Sequence, residues 1–511
     1  MNIETKLNMT TPTTYEKLCD HLKKMAILQS TSALLEWDQQ TKLPEGAGAY
    51  RSAQITYFAG QVHRLRTEKQ LGQWIEELST SEEASDPHSV VGCTIAQVKK
   101  DYDRQVKLPA RLVEELARAC SQGHQIWVEA RRDNDFSKFA PALKTIIKLK
   151  QEQADAVGFA DCRYDALLDE FEPGAKTAEV AQILEGLRKE LVPLVESIKG
   201  STQKPPVDIL HRQYAIEAQE KFVLDASAQI GFDYNRGRLD VTHHPFCTEM
   251  GPNDCRITTR YDQNFFSSAF FGTLHEAGHG IYEQGLPADQ YGLPSGQYCS
   301  LGIHESQSRL WENLVGRSMS FWQHFFPVAA GHFPDAFSGV TLDQFYAAIN
   351  HVAPSLIRVE ADEATYNLHI IIRFQLEQKL IEGTLSVDDL PEAWNEQYQK
   401  SLGVVPDANS DGVLQDVHWS AGLIGYFPTY SLGNLYASQL FQAAGDSLGD
   451  LHSQFAKGEF TPLKDWLNEN VHQFGKRYSS NELCEKVTGS PLSQSHLISH
   501  LREKLSPIYN L

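Results

Sequence analysis

A mainly α-helical fold is what this sequence predicts, and three observations predict it. Apolar residues recur at intervals of three and four through most of the chain, Gly, Pro, Asn and Asp cluster between those stretches, and only one region, Gly237 to Tyr261, reads as strands instead.

From Tyr15 to Asp38, Leu18, Leu22, Met25 and Leu28 share one helical face. Segments near 108–132 and 138–157 also read as helices. Between Thr177 and Ile198, the apolar positions Val180, Ile183, Leu184, Leu187, Leu191 and Leu194 form a second such face. Thr177 is the expected N-cap there, and Pro193 the expected site of a kink. Further helices are expected near 212–229, 306–326, 343–350, 360–382 and 431–455. The exception is Gly237 to Tyr261, where RLDVT and CRITTRY lie either side of a connection containing Gly and Pro. Their β-branched residues predict a small sheet. No internal repeat and no low-complexity linker divides the chain, so residues 1–511 read as one mostly helical unit, which a two-lobed arrangement would also fit.

Composition bounds the function classes. With 511 residues, 41% of them hydrophobic and 10% aromatic, the chain can bury a large core. Its formal charge of −20 repels phosphate backbones, which argues against nucleic acid as a partner. The eight cysteines are scattered, with no C-x-x-C, and read as reduced thiols. The start, MNIETKLNMTTPTTYEKL, lacks the apolar core of a secretory leader, and no uninterrupted apolar run would span a bilayer. A cytoplasmic protein without membrane partners is expected. Asn8-Met9-Thr10 matches a glycosylation sequon, which has meaning only on a secretory route.

The strongest local signal is His275-Glu276-Ala277-Gly278-His279, in a helical context that runs to Gly285 and Pro287. Histidines four apart face the same side of a helix, so both imidazoles reach one tetrahedral Zn²⁺, and the glutamate beside them addresses the attacking water. A catalytic zinc site needs a third protein ligand and an open position. Glu305, in HESQSRLWENL, is the leading candidate, and the loop from Gly285 to Gly302 is long enough to fold its helix back beside the first. His304, Glu312 and a plain helix-start carboxylate stay open as alternatives at this point.

Other motifs bring in a family. His244-Pro245-Phe246, Asp254-Cys255-Arg256-Ile257-Thr258, His275 to His279, His304-Glu305-Ser306-Gln307, Ile357-Arg358 with Ala361-Asp362, and Gly412-Val413-Leu414-Gln415-Asp416-Val417-His418-Trp419 occur in that order. With WDQQTKLPEG from Trp37, they resemble the M32 carboxypeptidases, the Taq carboxypeptidase group. The resemblance implies removal of single residues from peptide C-termini, a helical zincin-like fold with a deep groove, and a homodimer. It also implies His275, His279 and Glu305 as metal ligands and Glu276 as general base.

The chemistry then asks for further groups. A developing oxyanion needs donors, for which Tyr426, Tyr430 and His418 are candidates. A free C-terminal carboxylate suits a guanidinium, for which Arg358 and Arg256 are candidates, with His244 nearby in the motif series as a further substrate contact. An ion pair of Arg358 with Glu360 or Asp362 is the bland alternative. Asp254 and Asp416 are candidates to hold a ligand imidazole from behind, or are ordinary structural carboxylates. Tyr366, His369 and Arg373 share a helical face, with His369 either lining the groove or satisfied in the core. Phe265, Phe266, Phe270 and Phe271 are expected to pack and hold the ligand helix still. Zn²⁺ is the default ion, with Co²⁺ or Mn²⁺ as substitutes. An endopeptidase or oligopeptidase, or a metal-holding peptide-binding scaffold, are the competing readings.

Overall fold

Helix formation follows the apolar periodicity over most of residues 12–511, the part that the computed structural model describes. The sequon at Asn8 and the rest of residues 1–11 lie outside the described residues. The first helix, Thr14–Thr41, opens with a capping box in which Thr13 and Glu16 satisfy each other's backbone N–H groups. Its Leu18 and Leu22 pack with Leu71, Ile75, Ile95 and Val98 in a small cluster. The larger core runs from Trp127 to Tyr509 and takes in the face of the Thr177–Gly200 helix, where Leu184, Leu187 and Leu191 are fully buried. Each such leucine contributes about 2 kcal/mol of burial.

Several boundaries differ from the sequence expectation, each for a local reason. Thr177 is the first helical residue and not the cap, because its N–H is taken by the Asp165 carboxylate at 2.8 Å. The helix runs on through Pro193 to Gly200. The helix expected from 360 begins at Tyr366, after Asp362 Oδ1 has captured the N–H groups of Ala364 and Thr365 at 3.0 and 2.9 Å. The segment 306–326 divides into a helix at Leu301–Arg309, a wider π turn at Leu310–Val315, and a helix at Met319–His332 capped by Ser318. The segment 431–455 divides at Gly449 into helices Pro428–Leu448 and Leu451–Phe455.

The sheet has three strands, β1 (Gly237–Val241), β2 (Cys247–Glu249) and β3 (Cys255–Thr259), with β3 in the middle. β1 pairs with β3 in parallel, Leu239 opposite Ile257, and β2 pairs with it antiparallel, Cys247 opposite Ile257. The sheet lies under the helix Phe266–Gly285, which carries both histidines of the motif. Thr273 of that helix donates to Thr259 of β3 at 3.0 Å. Phe266, Phe270 and Phe271 are buried as expected, in an aromatic cluster with Phe222 and Trp322, whereas Phe265 is half-buried and stacks on His211. No described helix is long and apolar enough to cross a membrane.

Candidate active site

The helix Phe266–Gly285 presents His275 and His279 one turn apart, with ring centroids 4.9 Å from each other. The helix Leu301–Arg309 brings Glu305 against them. Ser300 caps it by accepting from the Ile303 N–H at 3.0 Å, which places Glu305 in the second helical turn and not at the dipole end. The two helices touch backbone to backbone at Gly278, where an added β-carbon would stand 2.6 Å from the Gln307 carbonyl oxygen. The small residue inside the HExxH pattern is therefore what lets Glu305 reach the histidines.

The ligating atoms of His275, His279 and Glu305 all lie within 4.8 Å of one another. His275 Nε2 is 3.7 Å and His279 Nε2 3.4 Å from Glu305 Oε2. The other ring nitrogens are held from behind. His275 Nδ1 bonds to Glu312 Oε2 at 2.9 Å, and His279 Nδ1 to the backbone carbonyl of His304 at 3.1 Å. Those bonds turn both Nε2 atoms toward the carboxylate, and two imidazoles, neutral when they ligate, with one carboxylate are a donor set that suits a divalent cation.

Charge in this pocket is balanced locally. Burial raises the Glu305 carboxyl, but Arg309, at 2.7 Å, and the two histidines overcome it and hold it well below the usual carboxylate range. Glu312 is likewise raised by burial and brought down to about 2 by Arg309, His275 and Arg317. Burial lowers the His275 imidazole, and Glu305 and Glu312 together more than offset this. His279, with His304 stacked on it at 4.4 Å, is pushed down to about 3 chiefly by burial. Glu276, 7% exposed, takes no side-chain hydrogen bond among the described residues, and burial pushes its carboxyl up to about 7.

A second group of polar residues adjoins the first through Tyr366. Arg309 stacks on that ring with its guanidinium carbon 4.5 Å from the centroid, and Arg358 Nη1 donates to its hydroxyl at 3.1 Å. Arg358 Nε also donates to Asp416 Oδ1 at 2.9 Å, while Arg373 Nε donates to Asp416 Oδ2 at 2.6 Å. Two guanidinium groups thus share one carboxylate, leaving one positive charge over. His418 Nε2 lies 3.2 Å from the Tyr430 hydroxyl, and the rings of Tyr426 and Tyr430 are 5.4 Å apart. Burial raises the phenols of Tyr426 and Tyr430, and Glu305 adds to the rise in both. The helix Pro428–Leu448 sets Tyr430 one turn before Gly433, which abuts Glu305. A cavity of about 430 Å³ opens beside Arg309, Glu312 and Tyr366.

The remaining candidates stand apart from this network. Arg256 on β3 is taken up by Asp254, at 2.8 and 2.9 Å, and stacks on Trp37 at 4.4 Å. His244 stands exposed on the β1–β2 connection. Asp254 and Asp416 do not hold a ligand imidazole, since arginines occupy both carboxylates; Glu312 and the His304 carbonyl do that work. Arg358 pairs with Asp416 rather than with Glu360 or Asp362. His369 is fully buried, its Nδ1 3.0 Å from the Tyr398 hydroxyl, and is a core histidine. Arg309 went unread in the sequence, although its i,i+4 spacing from Glu305 is a usable signal. Glu312 was weighed there as a ligand and not as the partner of one.

Known proteins resemble this chain over nearly its whole length. Thermostable carboxypeptidase 1 of Thermus thermophilus is 45% identical over 98% of this chain and 100% of its own length. Carboxypeptidase 1 of Bacillus subtilis is 38% identical over 98% of this chain and 99% of its own. The crystal structure of the M32 carboxypeptidase from Deinococcus radiodurans R1 superposes with a TM-score of 0.95 at 38% identity, covering 98% of this chain and 100% of that one. The family model described as carboxypeptidase Taq (M32) metallopeptidase matches residues 17–505, and the chain belongs to that family of peptide-hydrolysing enzymes.

Proposed function

We propose that the protein is a zinc-dependent metallocarboxypeptidase that releases single amino acids from free peptide C-termini, with Glu276 as general base. The observation that carries this reading is the convergence of His275, His279 and Glu305 beside a buried Glu276 that takes no side-chain hydrogen bond among the described residues. Zn²⁺ is the ion we assign to the three ligands, with Co²⁺ or Mn²⁺ able to substitute. When bound, it supplies Lewis acidity to the attacking water and the scissile carbonyl.

The chain's own residues supply the rest. Glu276 takes the proton of the water and passes it to the leaving amine; its raised pKa suits a group that must both accept and return a proton. Tyr430, Tyr426 and His418 donate to the developing oxyanion. Arg358 binds the terminal carboxylate through the edge that, among the described residues, donates to the neutral Tyr366 hydroxyl alone, and the positive charge left over by the Arg358–Asp416–Arg373 set favours an anion there. Arg256 and His244 are further substrate contacts, with Arg256 the alternative anchor for the carboxylate. We further propose one catalytic unit spanning the chain, a homodimer on the strength of the family likeness, and cytoplasmic residence on the strength of eight unpaired thiols.

Mass spectrometry of a free-acid peptide and its C-terminally amidated twin, with Zn²⁺ and with a chelated control, tests the reading. Stepwise, metal-dependent loss from the free-acid end alone is expected. Internal cuts in both peptides would replace it with an endopeptidase, and binding without cleavage with a scaffold.

A further inference from the structure

The C-terminal helix, Ser495–Tyr509, carries a buried lysine that the chemistry above does not use. Lys504 is 7% exposed, and its Nζ donates to Glu363 Oε2 at 2.7 Å and to the Asn313 carbonyl at 3.0 Å. One turn earlier, His500 Nε2 lies 3.0 Å from the other Glu363 oxygen. A buried ammonium is costly to desolvate even when paired, so a lysine serving only to fill this space is worse than a methionine.

Each partner of Lys504 adjoins a different half of the site. Asn313 follows Glu312 at the end of the Leu310–Val315 turn, where helix carbonyls run out of backbone donors. Glu312 is the residue that orients His275. Glu363 follows Asp362, whose carboxylate accepts from the N–H groups of Ala353, Ala364 and Thr365 and so closes the loop that carries Arg358. The same C-terminal helix meets the start of that loop, where the Val352 N–H donates to the Tyr509 hydroxyl at 2.7 Å.

We propose that Lys504 is a positioning residue that ties the turn orienting His275 to the loop presenting Arg358, and so sets the spacing between metal centre and carboxylate site. An enzyme that removes one residue at a time works at a single spacing between scissile carbonyl and terminal carboxylate. A misplacement of about 1 Å costs about 100-fold in rate. The proposal rests on the carboxypeptidase reading and on Arg358 as the carboxylate ligand.

The test compares the parent with Lys504→Met and Lys504→Met/Glu363→Gln, reading Tm, zinc content, KM and kcat on a free-acid peptide, and hydrogen exchange of amides 353–365 without substrate. Lys504→Met is expected to raise KM about tenfold, lower kcat by about 10- to 100-fold and speed exchange in 353–365 while zinc content holds. The double variant removes the stranded charge, so Tm recovers while KM and exchange stay raised. Recovery of KM together with Tm would make Lys504 merely structural and overturn the proposal. Should the single variant not fold, the double variant carries the comparison. Should the parent release no C-terminal residue, the carboxypeptidase reading fails by itself, and unchanged exchange in 353–365 would separately overturn the tie.

Discussion

Gly433 lies flush against Glu305: a β-carbon built on it would stand 2.6 Å from Glu305 Cγ and 2.7 Å from its Cβ. Residues 431–440 of one helix and Glu305 to Ser308 of the other are buried, so the added methyl has no room unless Glu305 moves. Gly433→Ala is therefore expected to weaken zinc binding by about 10- to 100-fold, the range seen when the support of a metal ligand is lost. Competition with a chromogenic chelator measures it. Unchanged affinity in a folded variant would remove Glu305 from the ligand set.

Glu276→Gln keeps the shape of the side chain and leaves the three ligands in place. Zinc content should match the parent, while kcat falls by about 100-fold or more, the usual worth of a general base. Near-normal turnover would assign the proton transfer to another group.

Removing Arg358 separates carboxylate recognition from chemistry. Asp416 keeps Arg373 at 2.6 Å, so Arg358→Ala strands no buried carboxylate. The variant should lose about 100-fold in kcat/KM on free-acid peptides with metal binding intact, consistent with the loss of a charge-assisted pair. An unchanged kcat/KM would move carboxylate recognition to Arg256, which must then release Asp254.

What could be read from the sequence was what short-range spacing encodes. His275 and His279 are four apart on one helix, and the break after Gly285 is marked by Leu286-Pro287, so the end of that helix was legible to within a residue. The His275–Glu312 bond spans 37 residues and depends on a π turn that no apolar period announces. Asp254 could be read either as standing behind an imidazole or as an ordinary structural carboxylate, and Arg256, two residues on, decides for the second by taking it. Strand β2 has three residues, too few to show an alternation. Thr177 has the composition of a cap, yet the carboxylate that takes its N–H comes from Asp165, a tertiary partner.

Glu377 provides a pH test away from the metal ligands. It is fully buried; its Oε2 accepts from the Tyr164 hydroxyl and the Gly425 N–H, and its Oε1 from Trp419 Nε1. Burial pushes its carboxyl up to about 7, against the opposing pull of those donors and of Lys150. The folded state thus binds a proton more tightly than the unfolded chain, whose glutamate titrates at about 4.3. With the folded pKa raised, the contribution to stability is fully present below the unfolded value and is lost as pH rises through about 7. Chelator-treated protein should therefore show a Tm that falls between pH 5 and about pH 8 in part through this group. Glu377→Gln cannot titrate, and although its amide loses one of the three donors and lowers Tm throughout, its Tm should fall less steeply over that interval. Differential scanning calorimetry at matched ionic strength reads the two slopes. Parallel slopes would mean that Glu377 is ionised in the folded state across the whole range, held by its three donors.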